Sequence, residues 1–285
     1  MAQAPVSSLT AGGTPASGTL CRLIYHPAAS GPWNMAVDEA LLLSAVEERA
    51  ATLRFYGWSE PTLSLGYFQQ YADRQRHLSS ATCAVVRRLS GGGAIVHDRE
   101  LTYSLALPAG HSLARATEQL YLTVHRTIAE FLNRWLSQEG EQPATRHRVD
   151  LKEEGTSRSP AEQPFLCFLR HEKDDGLLRP SSNEHAQARE GTSKIFGSAQ
   201  RRRRGAVLLH GSLLLQRSPA APELAGLSEI TGQTFLSEKL SQRLAYELAD
   251  ALDLELDESS LPEHWKTEAQ RLEPRYLDPG WTHRR

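Results

Sequence analysis

The chain has 285 residues, 40% hydrophobic and 23% charged, with a formal net charge of −2. That length supports one large mixed domain, and the near-neutral balance excludes general attraction to nucleic acid or membrane. Three scattered cysteines, Cys21, Cys83 and Cys167, exclude a disulfide scaffold. No CxxC pair suggests zinc, so no metal is expected and a reduced, cytoplasmic setting is the simplest reading.

No run of about 18 apolar residues is present to cross a membrane. The opening MAQAPVSSLTAGGTPASGT lacks a basic start and an apolar h-region. Residues 1–19 therefore read as a disordered tail rather than a signal peptide. Order is expected from Leu20, where CRLIYH reads as a strand. A helix follows through MAVDEALLLSAVEERA, with Ser30 or Asn34 as its cap. ATLRFY and TLSLGY look like strands split by the turn Gly57–Pro61, and Ala84–Arg88 is another strand running into three glycines. LTYSLALP reads as a strand again. From Ala114 to Ser137, Leu120, Val124, Ile128, Phe131, Leu132 and Trp135 form one helical stripe.

Two polar stretches, residues 138–163 and 179–192, read as surface loops. AVLLHGSLLL is strongly strand-like, whereas Leu236–Leu254 and Pro262–Leu272 read as helical. The pattern implies an α+β fold with a mixed β-sheet core flanked by helices over residues 20–285.

Three constellations carry chemistry. In RRLSGGGAIVHD, Gly91, Gly92 and Gly93 let the backbone approach a ligand, with Arg87 and Arg88 before them and His97 after. The spacing fits neither a P-loop nor a dinucleotide fingerprint, and a plain glycine-rich hairpin is the bland alternative. Lys194 opens the second, KIFGSAQ, followed by Arg201–Arg204. That arginine run is either a solvated turn or a docking patch for an acidic protein. Cys167 in FLCF is the third: a buried small hydrophobe, or a nucleophile if the fold supplies a cation such as Lys194. His210, in an apolar strand, reads as a satisfied core histidine.

Arg87–Asp98 closely resembles the RRxxGGGxVxHD signature of lipoate–protein ligases and related octanoyltransferases, and KIFGSAQ…LLHGSLLL resembles their second signature. MAVDEALL, SLGYFQ and RYLDPGW match in the same order, so the resemblance spans roughly Leu20 to Trp281. It implies the catalytic-domain fold of the biotin/lipoate protein ligase superfamily and three possible chemistries: ATP-dependent ligation, octanoyl transfer through an acyl-cysteine, or amidotransfer between carrier proteins. Cys167 ahead of the lysine motif, and Gln200-Arg201 after GSA, favour the octanoyltransferase.

That reading makes Cys167 and Lys194 catalytic. It places Arg87, Arg88, Gly91, Gly92, Gly93, His97, Gly197, Ser198 and Ala199 at the substrate. It implies octanoyl acyl carrier protein as donor and a lipoyl-carrier protein, such as the glycine-cleavage H protein, as acceptor. No cofactor is implied; ATP and Mg enter only under the ligase alternative. The separation of Cys167 from Lys194 is larger than the family leads one to expect, through a polar insertion around Arg179–Thr192.

Overall fold

The computed structural model describes residues 18–138, 147–155, 163–180 and 191–285. The expected tail, up to residue 17, and parts of both polar loops lie outside the described residues. The first half of the chain forms β1 (Thr19–Tyr25), α1 (Gly31–Glu47), β2 (Ala51–Tyr56), β3 (Thr62–Leu65), β4 (Ala84–Arg87), β5 (Ile95–His97), β6 (Glu100–Leu107) and α2 (Thr117–Gln138). The second half forms β7 (His147–Leu151), β8 (Gly176–Pro180), β9 (Ser193–Arg203), β10 (Ala206–Leu214), α3 (Leu227–Thr231), α4 (Ser237–Ala251), β11 (Leu254–Glu258), α5 (Glu263–Leu277) and α6 (Pro279–Thr282).

Eight strands make a mixed sheet in the order β11-β1-β2-β6-β10-β9-β8-β7, parallel at β11/β1/β2 and antiparallel elsewhere. A second sheet of β4-β3-β5 lies beside it. Alternation sorts the side chains by face. Leu101, Tyr103, Leu105 and Leu107 of β6 join the core under α2 and α4. The other face packs on α1 and α5, where Ala106 and Leu208 meet Met35, Leu41, Trp265 and Tyr276. Helices on both faces of a mixed sheet give the α+β architecture that the sequence pattern implies.

Two elements differ from the reading of the sequence. Residues 138–163 were expected as loop, but His147–Leu151 is an edge strand paired with β8, its Val149 buried under α2. The helical reading through Leu254 stops at Ala251, and Leu254–Glu258 pairs in parallel with β1. Both strands are short and rich in charge, so their propensity is weak and tertiary pairing decides them. Among the described residues no helix is long and apolar enough to cross a membrane.

Helix α1 begins where the Ser30 hydroxyl accepts from the Trp33 amide at 3.4 Å, and Pro32 sits in its first turn. It is buried almost all round, including Asn34, Asp38 and Glu39. Those polar groups are not orphaned. Arg54, fully buried on β2, donates to Asp38 Oδ1 at 3.0 Å and to Asn34 Oδ1 at 2.7 Å. Ser104 and Tyr56 donate to the same carboxylate at 2.6 and 3.2 Å. Glu39 accepts from the Tyr276 hydroxyl at 2.8 Å and from Arg275, which ties α5 to α1.

Removing one partner of a buried ion pair leaves an uncompensated charge. Asp38→Ala is expected to lower unfolding stability by about 3 kcal/mol or more, read from urea denaturation. A loss below about 1 kcal/mol would mean that Asn34 and His26, whose Nδ1 accepts from Arg54 Nε at 2.9 Å, satisfy Arg54 by themselves.

Candidate active site

The glycine loop joins β4 to β5 and is shaped from behind by Arg88. This buried guanidinium donates to the carbonyls of Gly91 at 2.7 Å, Gly93 at 2.6 Å and Ser64 at 3.0 Å. Burial pulls its pKa down to about 10, with the Cys167 sulfur opposing, so it stays a cation at neutral pH. Gly92 adopts φ of 92° and its carbonyl closes on Gly66, where a Cβ would lie 2.1 Å from the oxygen. A side chain at either position would push the loop off its seat.

Cys167 is brought to this loop by main-chain bonds. It opens a single tight turn, Cys167–Leu169, and its amide donates to the Ala94 carbonyl at 2.7 Å. The Ala94 amide donates to Phe165 at 3.1 Å, which pins the cysteine segment to the end of the glycine run.

Lys194 arrives from the opposite side on β9. The pairing with β8 slips at Gly176/Leu177, so that Phe196 faces Gly176 while Lys194 faces Leu177. In a regular strand Lys194 and Phe196 share one face. The bulge instead lets Ile195 and Phe196 both enter the core under α2, and re-aims Lys194 towards Cys167.

The Lys194 ammonium, 4% exposed, donates to Asp175 Oδ2 at 2.7 Å, to the Cys167 carbonyl at 3.4 Å and to Cys167 Sγ at 3.7 Å. Burial works against its charge, yet the Cys167 sulfur and the Asp175 carboxylate together hold its pKa above the ordinary lysine range. Burial likewise raises Asp175, and Lys194 offsets only part of that rise. The direction that governs the site is that of Lys194, because three acceptors converge on one ammonium. Asp175 is itself placed by the Glu172 amide at 2.7 Å and the Tyr121 hydroxyl at 3.3 Å.

Cys167 and Lys194 open on a pocket with an apolar wall of Met35, Tyr56, Trp58, Ile95 and Phe168. Arg88, Gly92, His97, Gly197, Ser198 and Ala199 also line it. Gly197 leaves room for the lysine, since a Cβ there would come within 2.9 Å of Lys194 Cε. His97 stacks on Trp58 with ring centroids 4.0 Å apart. Its tautomer follows from its neighbours: Arg88 donates to the Ser64 hydroxyl, which donates to Nε2 at 2.8 Å, and Nδ1–H donates to Glu100 at 2.8 Å. Burial alone would raise the Glu100 carboxyl, but His97, Thr102 and Ser212 hold it below the ordinary range.

Three of the expected substrate residues stand elsewhere. Gly91 and Gly93 are not among the lining residues; their carbonyls are spent on Arg88. Arg87 is fully buried and donates to the carbonyls of Gly66, Gln69 and Thr282, fastening the C-terminal segment to the loop. Ser198 lines the pocket, but its hydroxyl is engaged with His125 Nε2 at 2.8 Å.

His210 combines two roles. It is satisfied by Asp38 at 3.0 Å and Ser90 at 2.5 Å, and it lines the pocket. Reading the sequence missed Asp175, Tyr121, His125 and Trp58. Only the paired acids Asp174-Asp175 offered a signal, and nothing in sequence distance joins them to Lys194. Among the described residues no three His, Cys, Asp or Glu side chains are arranged to hold a metal ion.

The family model of the lipoyl protein ligase A/B catalytic domain matches residues 30–233. Octanoyltransferase LipM of Kyrpidia tusciae is 32% identical, over 93% of this chain and 98% of its own length. Octanoyltransferase LipM of Macrococcus caseolyticus is 34% identical over 79% of this chain and 76% of its own. Among solved structures, a T. acidophilum protein assigned as a lipoate protein ligase superposes with a TM-score of 0.70 at 19% identity, covering 94% of this chain and 100% of that one. The structural likeness establishes the fold. The chain belongs to the lipoyl protein ligase A/B catalytic-domain family.

His125 gives the site a pH signature. Its Nδ1–H donates to the Asp174 carbonyl at 2.7 Å, and burial pushes its pKa down to about 3 from 6.5. The unfolded chain takes up that proton first, so this group's contribution is complete above pH 6.5 and is lost as pH falls towards 3. The native chain is expected to lose stability from about pH 7.5 to about pH 5, and His125→Gln should reduce that loss by up to about 2 kcal/mol. Urea unfolding at the two pH values measures it; an unchanged pH slope in the variant would contradict the buried neutral imidazole.

Proposed function

We propose that this chain is a cytoplasmic octanoyltransferase. It takes an octanoyl group from the thioester of acyl carrier protein onto Cys167, then passes it to a lysine amine of a lipoyl-carrier protein such as the glycine-cleavage H protein. The observation that carries the reading is the Lys194 ammonium donating to Cys167 Sγ at 3.7 Å within an apolar pocket. The near full-length octanoyltransferase relatives support the same reaction.

In the first step the Cys167 sulfur attacks the thioester carbonyl carbon. A new C–S bond forms, the donor's C–S bond breaks, and the proton from Cys167 leaves on the donor thiol. The exchange of one thioester for another is nearly balanced in free energy, so it consumes no ATP. Lys194 supplies positive charge where negative charge gathers, first on the sulfur and then on the carbonyl oxygen. Because Asp175 holds the ammonium, that charge needs little rearrangement as the reaction proceeds.

In the second step the acceptor amine attacks the acyl-cysteine carbon. A C–N bond forms, the C–S bond breaks, and one amine proton returns to Cys167. The amide is more stable than the thioester, which drives the transfer forward. The acyl chain lies against Met35, Trp58, Ile95 and Phe168, each buried CH₂ contributing about 0.8 kcal/mol. An ATP-dependent ligase would use Lys194 at an acyl-adenylate and leave Cys167 without a task. The pairing of the two residues favours the transferase.

Incubation with octanoyl carrier protein without ATP, followed by intact-protein mass, tests this. A hydroxylamine-labile octanoyl adduct is expected on the native chain and none on Cys167→Ala. Lys194→Met should slow adduct formation by about a hundredfold or more. Full adduct on Cys167→Ala, or lipoate modification strictly requiring ATP, would overturn the assignment.

A further inference from the structure

The four-arginine run Arg201–Arg204 splits between two faces of the sheet. Arg202 turns towards α2 and donates to the Ala114 carbonyl, and Arg203 and Arg204 lie exposed where β9 turns into β10. Arg201 follows Gly197 and Ala199 along the face of β9 that lines the pocket. There it meets two arginines from the other end of the chain. Arg284 lies 3.8 Å from the Tyr67 ring centroid and 4.2 Å from that of Trp281. Arg201 and Arg285 approach the same tyrosine at 5.4 and 5.9 Å, and Arg285 is 5.3 Å from Phe68.

Three guanidinium groups thus gather on one aromatic ring, and among the described residues none of them pairs with a carboxylate. Mutual repulsion of that kind needs a compensating partner. The cluster stands out against a net charge of −2 for the whole chain. Beside it Phe68 is 66% exposed, yet its ring reaches the glycine loop at Gly91. The Tyr67 amide also donates to the Ser90 carbonyl at 2.9 Å, so the patch is joined to the rim of the site. Arg284 spends one N–H on the Tyr67 carbonyl at 3.4 Å, whereas the exposed Arg285 can turn its in-plane N–H groups to a carboxylate, and an exposed aromatic ring beside it suits a protein face.

We propose that Arg201, Arg284 and Arg285, with Tyr67 and Phe68, form the docking surface for an acidic face of the carrier protein that delivers the acyl thioester. The assignment rests on the octanoyltransferase reading, because it is the donor that must bring its thioester to Cys167. A nucleic acid calls for a longer basic stripe than three charges on one ring.

The test compares two donors, octanoyl carrier protein and the small thioester octanoyl-pantetheine, by the rate of Cys167 acylation. In the native chain the rate with the protein donor should fall with added salt far more than the rate with the small donor. In Arg201→Glu/Arg285→Glu the ratio of kcat/KM for the protein donor to that for the small donor should drop about tenfold or more. The control Arg115→Glu/Arg126→Glu, two exposed positions of which the first precedes α2 and the second lies on it, should leave that ratio unchanged. Equal losses with both donors would make the arginines structural, and no loss would remove them from docking. A defect confined to transfer onto the acceptor would assign the patch to the acceptor; each of these overturns the proposal. If neither donor acylates Cys167 in the native chain, the octanoyltransferase reading itself fails, which is a separate result.

Discussion

A lysine ammonium almost wholly withdrawn from water has to be compensated by its surroundings, and much of this site is arranged to compensate Lys194. Asp175 meets it at 2.7 Å, and the carbonyl and sulfur of Cys167 complete the cage. The ammonium gets there because β9 carries a bulge, and it fits because Gly197 has no side chain to oppose it. Asp175 in turn needs Tyr121 and the Glu172 amide. A buried charge is stable only while each of these acceptors stays in place, so the cation also fixes the spacing of the segments that bear it.

Two further polar chains run from the sheet to the glycine loop. One links Arg54, Asp38, His210 and Ser90; the other links Glu100, His97, Ser64 and Arg88. Both bury charge, and both end on backbone or side chains of the segment Arg88–Gly93. Burying such groups costs desolvation, and removing one member leaves the next unpaired. The gain is a loop with one position: Arg88 holds the carbonyls of Gly91 and Gly93, and Arg87 holds the C-terminal segment over the neighbouring turn. The loop held by Arg88 and the cysteine turn pinned to Ala94 together build one wall of the pocket.

The same fold serves ligases and transferases, so architecture alone does not select the reaction. The proposed acyl-cysteine route needs a thiol within reach of the lysine. Here the main-chain bonds between Ala94 and the Phe165–Cys167 segment put it there, although Cys167 and Lys194 lie 27 positions apart in sequence.

Much of this was legible in the residues. The stripe of α2, the capping candidates Ser30 and Asn34 and the apolar runs of β6 and β10 are local signals that agree with the fold, and the two signature motifs carried the family. The short strands His147–Leu151 and Leu254–Glu258 were not legible, because few, charged residues give a weak pattern until a neighbour pairs with them. Nor was the division of labour within the motifs: Arg87, the last residue of β4, turns to clamp the C-terminus, while Arg88, the first residue of the loop after it, lies in the pocket wall. The sequence by itself determined which chemical groups are present and which periodic faces are apolar. Only the tertiary structure decided that Cys167, Asp175 and Lys194 meet, since their contact depends on a bulge and on strand register, which are long-range properties that sequence spacing does not encode.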